Sequence, residues 1–210
     1  MGQAAVRVLA RTAAKLGRAA ATRNPSGRRI PSLFFLTDPE RTPDPVEVMA
    51  TLPPGSAVVY RAFGSATAEA QGRALRRLAW TQRLIFLVGA DAGLAVRLAA
   101  DGIHLPERLM RLGPRLRQAH PAWLITTAAH GHRAIAAAAR LGLDAVLVSV
   151  VFASASVSAG APLGSARFAI LARNARLPVI ALGGIDTGTV RRLESSGAAG
   201  LAAIGGLVGP

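Results

Sequence analysis

The chain has 210 residues, of which 51% are hydrophobic, so it can form one domain with a complete core. It contains no cysteine, which excludes disulfides, thiol catalysis and zinc–thiolate sites and is compatible with a cytoplasmic location. No apolar run approaches the roughly 18–20 residues that cross a bilayer. The net charge of +14 suggests nucleic acid, but only 4% of residues are aromatic and Lys15 is the single lysine. This arginine bias is typical of GC-rich coding and disfavours a nucleic-acid partner.

Residues 1–31 differ from the rest of the chain because they contain basic residues and no acidic ones. Small and apolar side chains recur there at helical spacing: Val6, Leu9, Ala13, Leu16 and Ala20. The opposite stripe is basic: Arg7, Arg11, Lys15 and Arg18. This amphipathic helix could be a transit peptide, a membrane-surface helix or a helix packed on the main domain. We favour packing, because a mostly alanine face would bind a bilayer weakly.

From residue 32 onward, short apolar runs alternate with helical patterns. Strands are predicted at 33–37, 57–61, 84–88, 102–105, 123–127, 145–151, 179–182 and 201–204. Helices are predicted at 46–52, 66–81, 92–100, 107–112, 132–141, 165–176 and 187–196. Eight such units predict an α/β (β/α)8 TIM barrel over 32–210, with an open doubly wound sheet as the alternative.

Only residues 205–210 follow the last predicted strand, and they are too few for an eighth outer helix. The last helix of the barrel is therefore predicted to be truncated or missing. The helix within 1–31 is the spare element that could cover the exposed part of the barrel wall, and we expect it to do so.

Two glycine pairs follow the last two predicted strands. Gly183 and Gly184 end the apolar run that starts after Pro178, and Gly205 and Gly206 end strand eight. Glycine leaves backbone N–H groups open to a ligand, and loops at these two strands of a barrel commonly hold phosphate. The sequence therefore predicts phosphate binding at these four glycines.

Several segments resemble, in chain order, the thiamine phosphate synthase and TenI family. They are Thr37-Asp38, 100–105, Ala129-His130, 151–156, 161–164 and 178–185, and the resemblance spans 33–207. It implies a (β/α)8 barrel and a phosphorylated small heterocycle as the partner. A homo-oligomer remains open.

The resemblance breaks at the residues that serve metal and diphosphate. Arg61 is kept, but Phe63 stands where the synthases have a lysine, and Asp91 lies one place after their metal-binding aspartate. After strand four, residues 106–109 lack the second metal-binding aspartate. We therefore expect no metal site and no cofactor, with magnesium only if synthase activity is retained.

The loop after strand six keeps two hydroxyls of the family pattern, Ser154 and Ser156, while Val157 replaces the lysine. These two serines are candidates for substrate or phosphate binding. TenI-like relatives use a histidine near the end of strand five for a metal-free aromatase reaction, and His130 lies there, with His132 as a second candidate. His130 and Arg61 are the candidate catalytic residues, although an exposed turn also explains His130.

The sequence thus predicts a thiamine-pathway protein that binds phosphorylated thiazole or thiamine phosphate and has lost most metal–diphosphate residues. An active synthase or a TenI-like thiazole tautomerase is one alternative. A regulatory or nucleic-acid-binding protein that uses the basic surface is another. Whether the chain is an enzyme stays open at this point.

Overall fold

The computed structural model describes residues 2–20, 27–154 and 160–208. Eight parallel strands close into a barrel in which each strand pairs with the next along the chain. Strand eight closes the ring against strand one, with Leu33 opposite Leu201. The predicted (β/α)8 barrel is confirmed, and the open sheet is excluded because the barrel has no edge strand.

The strands are β1 Leu33–Leu36, β2 Ala57–Tyr60, β3 Ile85–Gly89, β4 Gly102–Leu105, β5 Leu124–Ala129, β6 Ala145–Val148, β7 Val179–Leu182 and β8 Gly200–Ala203. The helices are α1 Gly2–Ala20, α2 Pro45–Thr51, α3 Ala68–Thr81, α4 Ala92–Arg97, α5 Gly113–Ala119, α6 His132–Arg140 and α7 Gly164–Asn174. Three 3-10 segments complete the described elements: Glu107–Leu112, Val190–Leu193 and Gly205–Leu207.

Side chains on the strands alternate between two cores, as expected for a period of two residues. Phe34 and Leu36 belong to a cluster in the barrel interior. Phe35 belongs to the larger layer between the strands and the surrounding helices. Both faces of β1 are therefore apolar, which explains its continuous apolar run in the sequence.

Helix α1 occupies the part of the barrel wall beside β8 and β1. Its apolar face is buried, including Val6, Leu9 and Leu16. Gly2 lies near the carbonyl oxygen of Val208 at the carboxyl end of the barrel, and Gly17 lies near Ser32 at the amino end. The helix therefore runs in the direction that a helix following β8 would take, and covers that wall.

The seventh helical window is the clearest error of the sequence analysis. A helix is predicted over 187–196, but the structure forms a 3-10 segment at Val190–Leu193. The Asp186 carboxylate accepts hydrogen bonds from the N–H groups of Gly188 and Thr189 at 2.8 and 2.9 Å, which forms a turn before any helix begins. Val190 and Leu193 are both fully buried at a spacing of three residues, which suits a 3-10 turn.

The window at 107–112 is also 3-10, and the α-helix of that crossover follows it as α5. Strand β6 ends at Val148, three residues before the predicted end. In the described part of the chain, no helix combines the length and the apolar character that spanning a membrane requires.

Candidate functional site

A cavity of about 1630 Å³ opens at the carboxyl ends of the strands. This is where barrels of this kind place their active sites. It is lined by every described residue that the sequence analysis proposes for the site: Arg61, His130, Ser154, Gly183, Gly184, Gly205 and Gly206. Ser156, the remaining candidate, lies outside the described residues. The barrel thus brings together residues that are far apart in sequence.

The loop after β7 requires both of its glycines. Gly183 and Gly184 have φ angles of 97° and 63°, in the left-handed region that side chains disfavour. A Cβ atom on Gly184 would lie 2.2 Å from the carbonyl oxygen of Ala153. The two loops that follow β6 and β7 therefore approach each other backbone to backbone.

The loop after β8 contains two glycines with different surroundings. A Cβ on Gly206 would lie 2.1 Å from the carbonyl oxygen of Ile185, whereas a Cβ on Gly205 would have no heavy atom within 4 Å. Across the described residues, no protein acceptor receives a hydrogen bond from the N–H groups of Gly184, Gly205 or Gly206. These three glycines are partly exposed and line the cavity, so their N–H groups are candidate donors to an anion.

Arg61 follows β2 and is held by the loop after β1. Its Nε atom donates to the carbonyl oxygen of Thr37 at 2.7 Å, and a terminal nitrogen donates to the Asp38 carboxylate at 3.0 Å. The backbone N–H of Arg61 also donates to the Thr37 hydroxyl at 2.9 Å. Burial lowers the pKa of Arg61, with Asp38 opposing the shift, but a guanidinium remains charged in proteins. The cation is therefore fixed in position at the cavity.

Asp38 joins two arginines at the end of β1. Its carboxylate accepts from Arg41 at 2.7 Å as well as from Arg61. Burial by itself raises the pKa of this carboxyl, but hydrogen bonds from Arg41 and the charges of Arg41 and Arg61 bring the pKa below its usual range. Asp38 is therefore ionised and acts as the anchor of this cationic group.

His104 lies on β4 and contacts the floor of the cavity. Its side chain is buried, and its Nδ1 atom lies 2.9 Å from the hydroxyl of Thr126. Burial, with a contribution from the charge of Arg61, lowers the pKa of His104 to about 4. The ring is therefore neutral near pH 7, as expected for a packed and hydrogen-bonded histidine.

His130 follows β5 and pairs with a carboxylate from the preceding crossover, between β4 and β5. Its Nδ1 atom lies 2.7 Å from Oε2 of Glu107, and the same oxygen accepts the backbone N–H of His130 at 2.9 Å. Both side chains are substantially exposed. A carboxylate at Nδ1 favours the tautomer in which Nδ1 carries the proton and Nε2 is the acceptor.

Phe63 occupies the position at which the resemblance implies a lysine. Its ring is 64% exposed and lines the cavity. The guanidinium carbon of Arg61 lies 5.0 Å from the centre of the ring, within the range of a cation–π interaction. Phe63 also has a φ angle of 49°, which is unusual for a bulky residue.

Among the residues that the structure describes, three carboxylates line the cavity, those of Glu69, Asp91 and Asp186. Asp91 caps α4 by accepting the N–H of Leu94 at 2.8 Å, Glu69 pairs with two arginines, and Asp186 forms the turn that precedes Val190. Within the described ranges, no three His, Asp or Glu side chains gather in a group that could hold a metal ion. Magnesium prefers charged oxygen ligands in octahedral geometry, so this donor set is unsuited to it.

The described candidate residues line the cavity, but the sequence does not predict which side chains pair with them. The pairing of Glu107 with His130 joins residues 23 positions apart, and that of Arg61 with Asp38 joins residues 23 positions apart as well. No local sequence pattern predicts such contacts. The predicted barrel predicts only that the residues after each strand lie at the same end.

The family model and the curated relatives indicate one family, and a solved structure shares the fold. The family model described as thiamine monophosphate synthase matches residues 33–207. The thiamine-phosphate synthase of Alcanivorax borkumensis is 28% identical over 188 residues, covering 86% of this chain and 87% of the relative. That of Marinobacter nauticus is 31% identical over 185 residues, covering 85% and 83%. The solved thiamine phosphate pyrophosphorylase from Pyrococcus furiosus has a TM-score of 0.70 at 23% identity, covering 82% and 85%.

Proposed function

The chain belongs to the thiamine monophosphate synthase family, and we propose that it binds a phosphorylated thiazole or thiamine phosphate at the cavity. The proposal includes the loss of most residues that serve metal-assisted release of diphosphate. We choose this class of ligand because the relatives are named thiamine-phosphate synthase.

The observation that carries this proposal is the set of backbone donors after β7 and β8. The N–H groups of Gly184, Gly205 and Gly206 have no acceptor among the described residues, and all three glycines line the cavity. A phosphate has oxygen acceptors that several N–H groups can share, and such concave sets of donors bind anions. The phosphate group is therefore expected at these two loops.

Groups that would handle a diphosphate with its metal are missing on the opposite side of the cavity. Phe63 offers no positive charge for a departing diphosphate, and Asp91 is committed to capping α4. A leaving diphosphate requires cationic stabilisation. In the described part of the chain, four arginines line the cavity, Arg41, Arg61, Arg97 and Arg108, and the first three already pair with Asp38 or Glu69. These features support binding of a monophosphate without synthase turnover.

One observation favours a second candidate, a thiazole tautomerase-like activity. The Glu107 carboxylate lies 2.7 Å from Nδ1 of His130, which leaves Nε2 free to accept a proton. In a tautomerisation the base removes a proton from one ligand atom and returns it to another, so no metal and no second substrate are needed. His130 would move the proton and Glu107 would hold the ring.

Thermal unfolding with thiazole phosphate, thiamine phosphate and inorganic phosphate tests the binding proposal. A ligand present at 100 times its Kd stabilises a protein by about 2.7 kcal/mol, which raises Tm by about 5–10 °C for a domain of this size. The same protein is then incubated with the pyrimidine diphosphate, the thiazole phosphate and magnesium. No shift with any phosphate compound would contradict binding, and formation of thiamine phosphate would contradict the loss of synthase function.

Gly205→Ala tests the position of the phosphate. A Cβ at this residue meets no protein atom within 4 Å, so the change should not disturb the fold. We expect phosphate-containing ligands to bind about 10-fold more weakly, because the methyl group hinders approach to the N–H donors. Gly131→Ala is the matched control, since its Cβ also meets no atom within 4 Å and the residue precedes α6. Equal affinity of Gly205→Ala and the control would place the phosphate elsewhere.

A further inference from the structure

Phe63 combines three features that packing does not explain. It is a large apolar residue that is 64% exposed, it lines the cavity, and it has a φ angle of 49°. A positive φ is unfavourable for a residue other than glycine, and such residues cluster at ligand sites. The loop therefore holds this ring at the cavity at a cost in stability.

Arg61 supports one side of the ring. Its guanidinium carbon lies 5.0 Å from the ring centre, and the guanidinium is itself fixed by Thr37 and Asp38. Because this support is anchored in the wall of the barrel, the ring is held as a platform. Two-thirds of its surface remains available to a ligand.

Trp80 shows that an exposed ring over an arginine is not sufficient evidence of a site. It is 75% exposed, and the guanidinium carbon of Arg76 lies 5.7 Å from its ring centre. Trp80, however, lies within α3, has no positive φ and does not line the main cavity. Positive φ and a position in the cavity distinguish Phe63.

We propose that Phe63 is a stacking platform for the heteroaromatic ring of the ligand, whose phosphate is held by the glycine loops. This inference rests on the proposed function and narrows it to a planar heteroaromatic monophosphate. An apolar ring at this position favours a second aromatic ring over a second anionic group. The cavity should therefore prefer thiamine phosphate to inorganic diphosphate.

Calorimetric titration with thiamine phosphate and with inorganic phosphate tests the platform. Aromatic pairs contribute about 0.5–1.5 kcal/mol beyond their buried area, so Phe63→Ala should weaken thiamine phosphate binding about 3–10-fold. Affinity for inorganic phosphate should not change. Phe63→Tyr should retain the affinity, and Trp80→Ala is the control for removing an exposed ring beside an arginine.

Proton NMR of bound thiamine phosphate gives an independent readout. Stacking on Phe63 should move the ligand's aromatic proton signals upfield, and Phe63→Ala should abolish the displacement. If Phe63→Ala binds thiamine phosphate as tightly as the wild type, or loses equal affinity for thiamine phosphate and inorganic phosphate, the platform is wrong but the proposed function still stands. If the wild-type protein binds neither compound, both the proposed function and the platform are wrong. Dissociation of an oligomer by Phe63→Ala in light scattering would also overturn the platform, because a second copy would then cover the ring.

Discussion

Carboxylates accept backbone N–H groups at both ends of the barrel, but the carboxyl end also contains N–H groups without an acceptor among the described residues. At the amino end, Asp144 precedes β6, accepts the N–H of Ile125 at 2.7 Å and pairs with Arg117. Asp101 precedes β4 and repeats the arrangement, accepting the N–H of Phe86 at 2.8 Å. At the carboxyl end, the glycine N–H groups after β7 and β8 have no acceptor among the described residues.

This difference suggests that the amino end mainly stabilises the fold and that the carboxyl end mainly binds a ligand. Charges pair with the backbone at both ends, but only at the carboxyl end do the described residues include glycine donors without an acceptor and an exposed ring that line a cavity. The pattern agrees with barrels in general, in which loops after the strands carry function and the opposite face carries stability. Substitutions at the amino end should therefore affect unfolding, and those at the carboxyl end should affect ligand affinity.

Asp144→Ala should give the largest effect. The side chain is 1% exposed, and its removal leaves Arg117 without its carboxylate and the N–H of Ile125 without an acceptor. Loss of one partner of a buried pair costs about 3–5 kcal/mol. Urea unfolding measures this, with Glu107→Ala as the control for a surface pair at the carboxyl end, worth about 0–1 kcal/mol. Similar costs for the two variants would contradict the contrast between the ends.

Leu9→Ala tests whether α1 belongs to the barrel wall. Leu9 is fully buried, and replacing such a leucine with alanine costs about 2–5 kcal/mol. Val8→Ala is the matched control on the outer face of the same helix, where the side chain is 40% exposed. If Leu9→Ala unfolds at the same urea concentration as the wild type, α1 is a dispensable tail.

His104 should make the free energy of unfolding depend on pH between its ordinary pKa of 6.5 and its folded pKa of about 4. Its folded pKa of about 4 is below the ordinary value of 6.5, so the unfolded chain binds a proton first as the pH falls. Stability is full above pH 6.5 and decreases toward pH 4, by about 2 kcal/mol between pH 7 and pH 5. The pKa of Asp38 is lowered from its ordinary value of 3.8, so this carboxyl reduces the stability mainly when the pH falls below that value.

Unfolding curves of the wild type and of His104→Gln at pH 7 and pH 5 measure this contribution. The variant should be less stable at pH 7 because a buried, hydrogen-bonded ring is removed. It should also lose less stability on acidification. An equal loss in both proteins would show that another group causes the pH dependence.

Phe63→Ala and Gly205→Ala should have the smallest effects on unfolding. Phe63 is mostly exposed, and a Cβ on Gly205 contacts nothing within 4 Å. Both should change the free energy of unfolding by less than about 0.5 kcal/mol. Scanning calorimetry without ligand checks this, and a large loss in either variant would assign the carboxyl end a structural role.

The barrel could be predicted because its strands are apolar on both faces. The range 179–182 was predicted for β7 and is observed as Val179–Leu182, bounded by Pro178 and Gly183. The 3-10 segment at Val190–Leu193 could not be distinguished from the predicted helix over 187–196, since the periodicity of this range also suits the turn that Asp186 forms with Gly188. Local pattern does not distinguish a short helix from a 3-10 turn when the same side chains are buried.

The sequence alone predicts the strand–helix alternation, the amphipathic first helix and the glycine pairs, because each depends on neighbours within a few positions. Only the tertiary structure determines the contacts between distant positions, such as Glu107 with His130 and Arg61 with Asp38. The direction of α1 and the exposure of Phe63 also emerged only in the closed barrel. The physical reason is that strand closure aligns eight chain segments whose separation in sequence carries no information about their distance in space.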